Sequence, residues 1–101
     1  MPPETCPLCD APTALLRGKQ RPSEVELLHR RIATLGRRIS DLEEGEITPR
    51  QLKDDVLWMC AECQRLMAGL STLDLREIQR RIHEQVRRLE RTLAARTRRA
   101  G

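Results

Sequence analysis

The sequence predicts an all-α fold in which coiled-coil-like helices form a hairpin that a four-cysteine site holds closed, followed by a long basic helix. Apolar residues recur at helical spacing over two long stretches, whereas no stretch shows the alternation of a strand. All four cysteines fall in two Cys-x-x-Cys pairs, and the chain has no Phe, no Tyr and one Trp. The core must therefore be aliphatic, which suits leucine-rich helices.

The length of 101 residues is that of one small domain, which gains from a covalent or metal staple. We divide this single domain, 1–101, into three parts. Residues 1–22 form a cysteine turn and a linker, residues 23–70 form the helical hairpin with the second cysteine pair, and residues 73–99 form the basic helix.

Cysteine pairs of this type hold one side of a tetrahedral metal ion, and two pairs fill all four corners. The predicted ligands are Cys6, Cys9, Cys60 and Cys63, and the predicted cofactor is Zn²⁺ in a structural site without an open position. The prediction rests on the type of pair, because 50 residues separate Cys9 from Cys60, more than in familiar zinc ribbons. Two disulfides, a thioredoxin-like redox motif and an iron-sulfur cluster are the alternatives, and the two pairs could meet within one chain or across two.

The first predicted helix begins at Ser23, whose hydroxyl can cap the amide of Glu26. Its apolar residues follow spacings of 3, 4, 3, 4 and 3, with β-branched residues at one seam position and leucine at the other, a pattern that favours a parallel two-stranded coiled coil. We therefore expect a homodimer. The predicted interface residues are Val25, Leu28, Ile32, Leu35, Ile39 and Leu42. The alternative is that this seam packs against other helices of its own chain.

Gly45 ends this helix, and Thr48 with Pro49 begins the next, so the chain should turn back as a hairpin with an acidic tip. The returning helix should break near Cys60, because a zinc turn is incompatible with an uninterrupted helix. Beyond 73 a last helix carries a seam with a period close to 11 residues. The different periods of the two seams predict that each has its own packing partner.

Basic residues are concentrated in that last helix. Residues 76–101 hold nine Arg and three Glu, a net charge of +6, whereas the whole chain carries +4, so residues 1–75 carry −2. Five arginines share one face, opposite the apolar seam: Arg76, Arg80, Arg87, Arg91 and Arg98. Such a face could contact the phosphates of duplex nucleic acid in a salt-sensitive way without reading its sequence. The alternatives are an ordinary solvated face, or one that meets an acidic protein.

Catalysis is not expected, because His29 and His83 lack a neighbouring nucleophile or acid in a recognisable arrangement, and no small-molecule substrate is predicted. No apolar run is long enough to cross a membrane. The residues Met1 to Thr5 lack the basic and apolar regions of a signal peptide, so we expect a cytoplasmic protein.

The segment Cys60-Ala61-Glu62-Cys63-Gln64 is similar to the second cysteine pair of the DksA and TraR family, which combines a helical hairpin with a four-cysteine zinc site. In that family the two pairs sit closer together and the hairpin precedes both. The resemblance implies a partner in the bacterial transcription machinery.

Together these features predict a non-enzymatic zinc-binding regulator or accessory factor that self-associates and contacts nucleic acid, or a nucleic-acid machine, through its arginine-rich helix. The alternative is a protein–protein adaptor or assembly subunit that uses its seams and does not touch nucleic acid.

Overall fold

The computed structural model describes residues 4–12, 23–70 and 74–100, and these ranges contain four α-helices and no β-strand. The helices are α1 (Glu24–Glu44), α2 (Pro49–Asp54), α3 (Ala61–Met67) and α4 (Leu75–Ala100), with a 3-10 turn at Val56–Trp58. Thr5 and Pro12 form an isolated antiparallel bridge across the first cysteine turn. The all-α prediction is confirmed.

The ends of α1 follow from its capping residues. The Ser23 hydroxyl accepts a hydrogen bond from the amide of Glu26 at 3.2 Å, which satisfies one of the amides that a helix start leaves open. Gly45 adopts a left-handed conformation with φ of 76°, and its N–H points back to the carbonyls of Asp41 and Leu42. A side chain would strain this backbone, so glycine ends the helix here.

The returning arm consists of short pieces. Thr48 and Gln51 form a complete capping box at the start of α2, with Pro49 in its first turn, as the sequence predicts. The helix stops after only six residues, a 3-10 turn follows, and Cys60 then serves as the N-cap of α3. The predicted break near Cys60 is present, but no long returning helix lies along α1.

The long helix that packs along α1 is α4. The two run antiparallel, because an ion pair joins Glu24 in the first turn of α1 to Arg96 near the end of α4. Their apolar seams face each other and form most of the contact between elements. The expectation that each seam has its own partner is therefore wrong. Each seam departs only slightly from the natural helix repeat of 3.6 residues, by about 20° per heptad for the seam of α1, so the two helices can pack side by side over a few turns.

The seam of α1 lies in the core of the single chain. Leu28, Leu35, Ile39 and Leu42 are buried, whereas Val25 and Ile32 are half-buried. Each fully buried leucine or isoleucine contributes roughly 1.5–3 kcal/mol. Self-association through this seam stays a prediction, and α4 already covers the side chains that it would use. From the other elements the core takes these residues: Leu8, Leu52, Met59, Met67, Ile78, Ile82 and Leu89.

The 3-10 turn exposes two large apolar side chains. Leu57 is 82% exposed and Trp58, the single aromatic residue of the chain, is 43% exposed. Large apolar residues at this level of exposure are unusual when they are adjacent. Among the helices in the described ranges, none is apolar over a length that could cross a bilayer.

Candidate metal centre

The first cysteine pair sits in a tight turn. The amide of Asp10 donates to the carbonyl of Cys6 at 2.9 Å, and the amide of Cys6 donates to the carbonyl of Ala11 at 2.8 Å. Asp10 closes the turn with φ of 62°, a conformation that Asp tolerates better than most residues. Leu8, between the two cysteines, is fully buried and anchors the turn in the core.

The second pair joins the 3-10 turn to α3. Cys60 is the N-cap of α3 and Cys63 lies in its first turn, so the two thiols project from the same end of that helix. The amide of Cys60 donates to the sulfur of Cys6 at 3.4 Å, a contact that directly links the two pairs.

The four sulfur atoms converge on one point within one chain. All lie within 4.8 Å of one another, and the Sγ atoms of Cys9 and Cys60 are 3.7 Å apart. A tetrahedral Zn²⁺ with zinc–sulfur bonds of about 2.3 Å would place its sulfurs about 3.8 Å from each other. The donor set and its spacing are therefore compatible with metal binding.

The disulfide alternative does not describe this cluster. All four cysteines are free thiols, and a separation of 3.7 Å between Cys9 and Cys60 sulfurs is well beyond the bond length of about 2.05 Å. Cys6, Cys9 and Cys63 are buried and Cys60 is half-buried. The thiols therefore face one another and are largely closed off from solvent.

The thiols share their protons unequally. Hydrogen bonds from Cys60, Cys63 and Cys9 hold the pKa of Cys6 well below its ordinary value. The hydrogen bond with Cys6, followed by that with Cys60, raises the pKa of Cys63. When a divalent cation binds, the remaining thiol protons pass to solvent, because the cation stabilises the thiolates.

Arginines of α1 hold the first cysteine turn against that helix. Arg30 forms an ion pair with Asp10 at 3.2 Å. Arg38 donates from Nε to the carbonyl of Pro7 at 3.2 Å and from a terminal nitrogen to Asp41 at 3.2 Å.

Sequence reasoning missed these contacts. The available signal for Arg38 was that it directly precedes Ile39, a β-branched residue of the seam, and so flanks one side of that seam.

The predicted arginine face is on the outside of α4. Arg76, Arg80, Arg87, Arg91 and Arg98 are all exposed, and they follow one side of a helix that is continuous from Leu75 to Ala100. Arg80 is bound to carboxylates of its own helix, Glu77 and Glu84. The other four form no ion pair within the described residues.

Both histidines are exposed, His29 on α1 and His83 on α4. Neither belongs to the four-cysteine cluster. The structure therefore does not bring them to the site that carries the chemistry of this chain.

Comparison of the chain with protein-family models, with curated proteins and with solved structures finds no match. The resemblance to the DksA and TraR family therefore rests only on the segment from Cys60 to Gln64 and on the predicted hairpin. The structure does not support the hairpin, because the long helix that packs against α1 is α4 and not the returning arm.

Proposed function

We propose that this protein is a non-enzymatic binding factor in which Zn²⁺, held by four cysteines, joins the short segments that pack against the long helices α1 and α4. In this proposal the arginine face of α4 contacts nucleic acid or a nucleic-acid machine. Duplex nucleic acid and the transcription machinery are the partners that this chemistry fits. The main support for this proposal is a row of four exposed arginines on α4 that form no ion pair in the described part of the chain: Arg76, Arg87, Arg91 and Arg98.

The zinc part of the proposal is supported by the donor set. Four cysteine sulfurs leave no position for water or substrate on a tetrahedral ion, which is the arrangement of structural rather than catalytic zinc. The ion would join a turn at residues 6–9 to the start of α3, two segments that lie 50 residues apart in the chain. Its role is therefore to hold elements together.

The arginine part is supported by reach and charge. From Arg76 to Arg98 the helix advances 22 residues, or about 33 Å, close to one turn of duplex DNA. An unpaired guanidinium can bind a phosphate bidentately without first losing an internal partner. Arg80, which Glu77 and Glu84 already engage, should contribute less than Arg87 or Arg91.

The test is binding to a duplex at several salt concentrations. The variant Arg87→Gln, Arg91→Gln removes two charges from the face, and the matched control Arg37→Gln, Arg50→Gln removes two from exposed positions elsewhere. Each lost phosphate contact should lower the slope of log K against log salt by about 0.9. We expect the first variant to bind more weakly with a shallower slope, and the control to bind like the wild type. Equal slopes for all three proteins would contradict the nucleic-acid proposal.

A second candidate function, a protein–protein adaptor, is favoured by Leu57 and Trp58. Both are exposed on the turn that leads directly into the second cysteine pair, and Trp is enriched among the residues that dominate protein interfaces. In this case the arginines would meet acidic protein surfaces.

Purification without nuclease separates the two candidates. Copurified nucleic acid would give a high ratio of absorbance at 260 nm to absorbance at 280 nm. The ratio is sensitive here because the protein, with one Trp and no Tyr, absorbs weakly at 280 nm. A protein-like ratio, together with duplex binding whose salt slope is the same for the wild type and for Arg87→Gln, Arg91→Gln, supports the adaptor.

A further inference from the structure

Arg31 of α1 contacts the segment that carries the second cysteine pair. The side chain of Arg31 on α1 is only 12% exposed, whereas that of its neighbour Arg30 is 46% exposed. Burial of a guanidinium is costly unless negative groups surround it. The environment of Arg31 therefore has to supply that negative charge.

One negative group is Glu62, which lies between the two cysteines of the second pair. Its carboxylate forms an ion pair with a terminal nitrogen of Arg31, and Gln85 on α4 donates to the same oxygen at 3.5 Å. This pair joins α1 to α3, but it engages only one end of the guanidinium.

The Nε of Arg31 is buried without a hydrogen-bond partner, alone in this respect among the side chains of the described residues. Buried donors in folded proteins nearly always have an acceptor. Burial alone would lower the pKa of Arg31, but the hydrogen bond with Glu62, and after it the charge and hydrogen bond of Cys9, raise it. The contacts around Arg31 place it between the two cysteine pairs: its neighbour Arg30 pairs with Asp10, the residue after Cys9, and Arg31 itself pairs with Glu62 of the second pair.

Charge indicates what the second partner is. Four thiolates around one divalent ion carry a net charge of −2 in a buried place, and thiolate sulfurs accept hydrogen bonds. A buried cation beside one of those sulfurs would offset half of that charge. Groups that bind metal ligands in this way commonly change metal affinity by 10–100-fold.

We propose that Arg31 is a positioning residue of the metal centre: in the metal-bound protein its Nε donates to the Cys9 thiolate, and its charge offsets that of the four-thiolate site. This inference rests on the proposed metal centre. It assigns Arg31 two simultaneous partners, the thiolate of Cys9 and the carboxylate of Glu62, so that metal loading and the contact between α1 and α3 support each other.

The test uses the full chain with Co²⁺ as a spectroscopic probe and with Zn²⁺ in competition with a chromophoric chelator. Arg31→Met keeps the length of the side chain and removes the charge, and Arg31→Lys keeps the charge. Arg37→Met, an exposed position on the same helix, is the control. We expect Arg31→Met to bind Zn²⁺ about 10–100-fold more weakly, Arg31→Lys to recover part of that loss, and Arg37→Met to match the wild type.

The thiolate-to-Co²⁺ charge-transfer band provides a readout that a purely structural role would not move. Loss of a hydrogen bond to sulfur should shift this band of Arg31→Met to lower energy. Glu62→Gln, which breaks the ion pair and leaves Arg31 beside Cys9, should lose less affinity than Arg31→Met. If Arg31→Met does not fold, Arg31→Lys keeps the inference testable, because it should still bind Zn²⁺ more weakly than Arg37→Met.

Three results would overturn the inference while the metal centre stands. The first is a folded Arg31→Met with wild-type affinity and an unmoved band. The second is Glu62→Gln losing as much affinity as Arg31→Met, and the third is Arg31→Lys recovering none of that loss. Absence of any charge-transfer band in the wild type would instead overturn the metal centre itself.

Discussion

Arg38, in the second half of α1, donates from Nε to the carbonyl oxygen of Pro7, 3.2 Å away inside the first cysteine turn. Asp41, one helical turn further on, holds the same guanidinium in place. The first cysteine turn is thus attached to α1 by ordinary polar contacts, whereas its link to α3 runs through sulfur. Removal of the proposed metal should therefore separate the second cysteine pair from the first, and leave the first turn near α1.

Removal of one ligand should destabilise the fold. In Cys60→Ser three thiolates remain, and because metal binding and folding are coupled, much of the stabilisation by the ion is lost. With free Zn²⁺ at about 1,000 times its dissociation constant, the wild type gains about 4 kcal/mol. At about 4–8 °C per kcal/mol for a chain of this size, the melting temperature should fall by tens of degrees.

Far-UV circular dichroism with and without chelator measures this effect. Ala61→Ser, at an exposed position in the same turn, should melt like the wild type and respond equally to chelator. Unchanged melting of Cys60→Ser would contradict a structural metal.

The contact between α1 and α4 should dominate the stability of the helix pair. Leu35 is fully buried in the middle of α1, and Leu35→Ala should cost about 2–5 kcal/mol. Ala33→Ser, on the exposed side of the same helix, should change the free energy of unfolding by less than about 0.5 kcal/mol.

Chemical denaturation at two protein concentrations also tests the predicted dimer. If the seam packs within one chain, the midpoint does not depend on concentration, whereas a dimer held by this seam unfolds at higher denaturant when more concentrated.

Two glycines with equal free space should respond oppositely to alanine. A Cβ added at Gly36 or at Gly45 would meet no atom within 4 Å, so backbone conformation alone decides the outcome. Gly36 lies inside α1, where alanine should stabilise by about 0.5–1 kcal/mol. Gly45 has φ of 76°, where alanine should cost about 1–2 kcal/mol. Thermal melts of the two variants provide the comparison, and changes of the same sign would be inconsistent with the helix end at Glu44.

The carboxyl group of Glu77 should titrate below its ordinary pKa of 4.5, because Arg80 and then Arg81 donate hydrogen bonds to it. A lowered pKa in the folded state adds stability above pH 4.5, and this stability disappears as the pH falls through the lowered value. Carbon-detected NMR titration should show the lowered midpoint in the wild type. Arg80→Gln should move it toward 4.5, whereas Arg76→Gln, which removes the arginine directly before Glu77 but no hydrogen bond to it, should move it much less.

The helix ends could be predicted because they depend on residues close in sequence. Ser23, Gly45 and Thr48 act through hydrogen bonds and backbone angles within four residues of themselves, and each ends or begins a helix as predicted. The convergence of both cysteine pairs could be predicted from their type alone, since one tetrahedral ion requires four donors.

The pairing of the helices could not be predicted in the same way. An apolar seam shows that a helix has a partner, but does not say whether that partner is a second chain, α2 or α4. The contacts of Arg31 and Arg38 could not be predicted either, because each joins a cysteine-bearing segment at a residue 31 positions away in the chain. Arginine is also common throughout this sequence, so these two do not stand out.

Trp58 is the only tryptophan of the chain and lies on the turn that precedes Cys60. Its fluorescence therefore reports on the surroundings of the cysteine cluster and not on the aliphatic core. Fluorescence follows the turn ahead of Cys60, while circular dichroism follows the long rods of α1 and α4. If the cysteine cluster and the long helices unfold together, the melting curves from fluorescence and from circular dichroism should coincide. After removal of the proposed Zn²⁺ the two curves should separate.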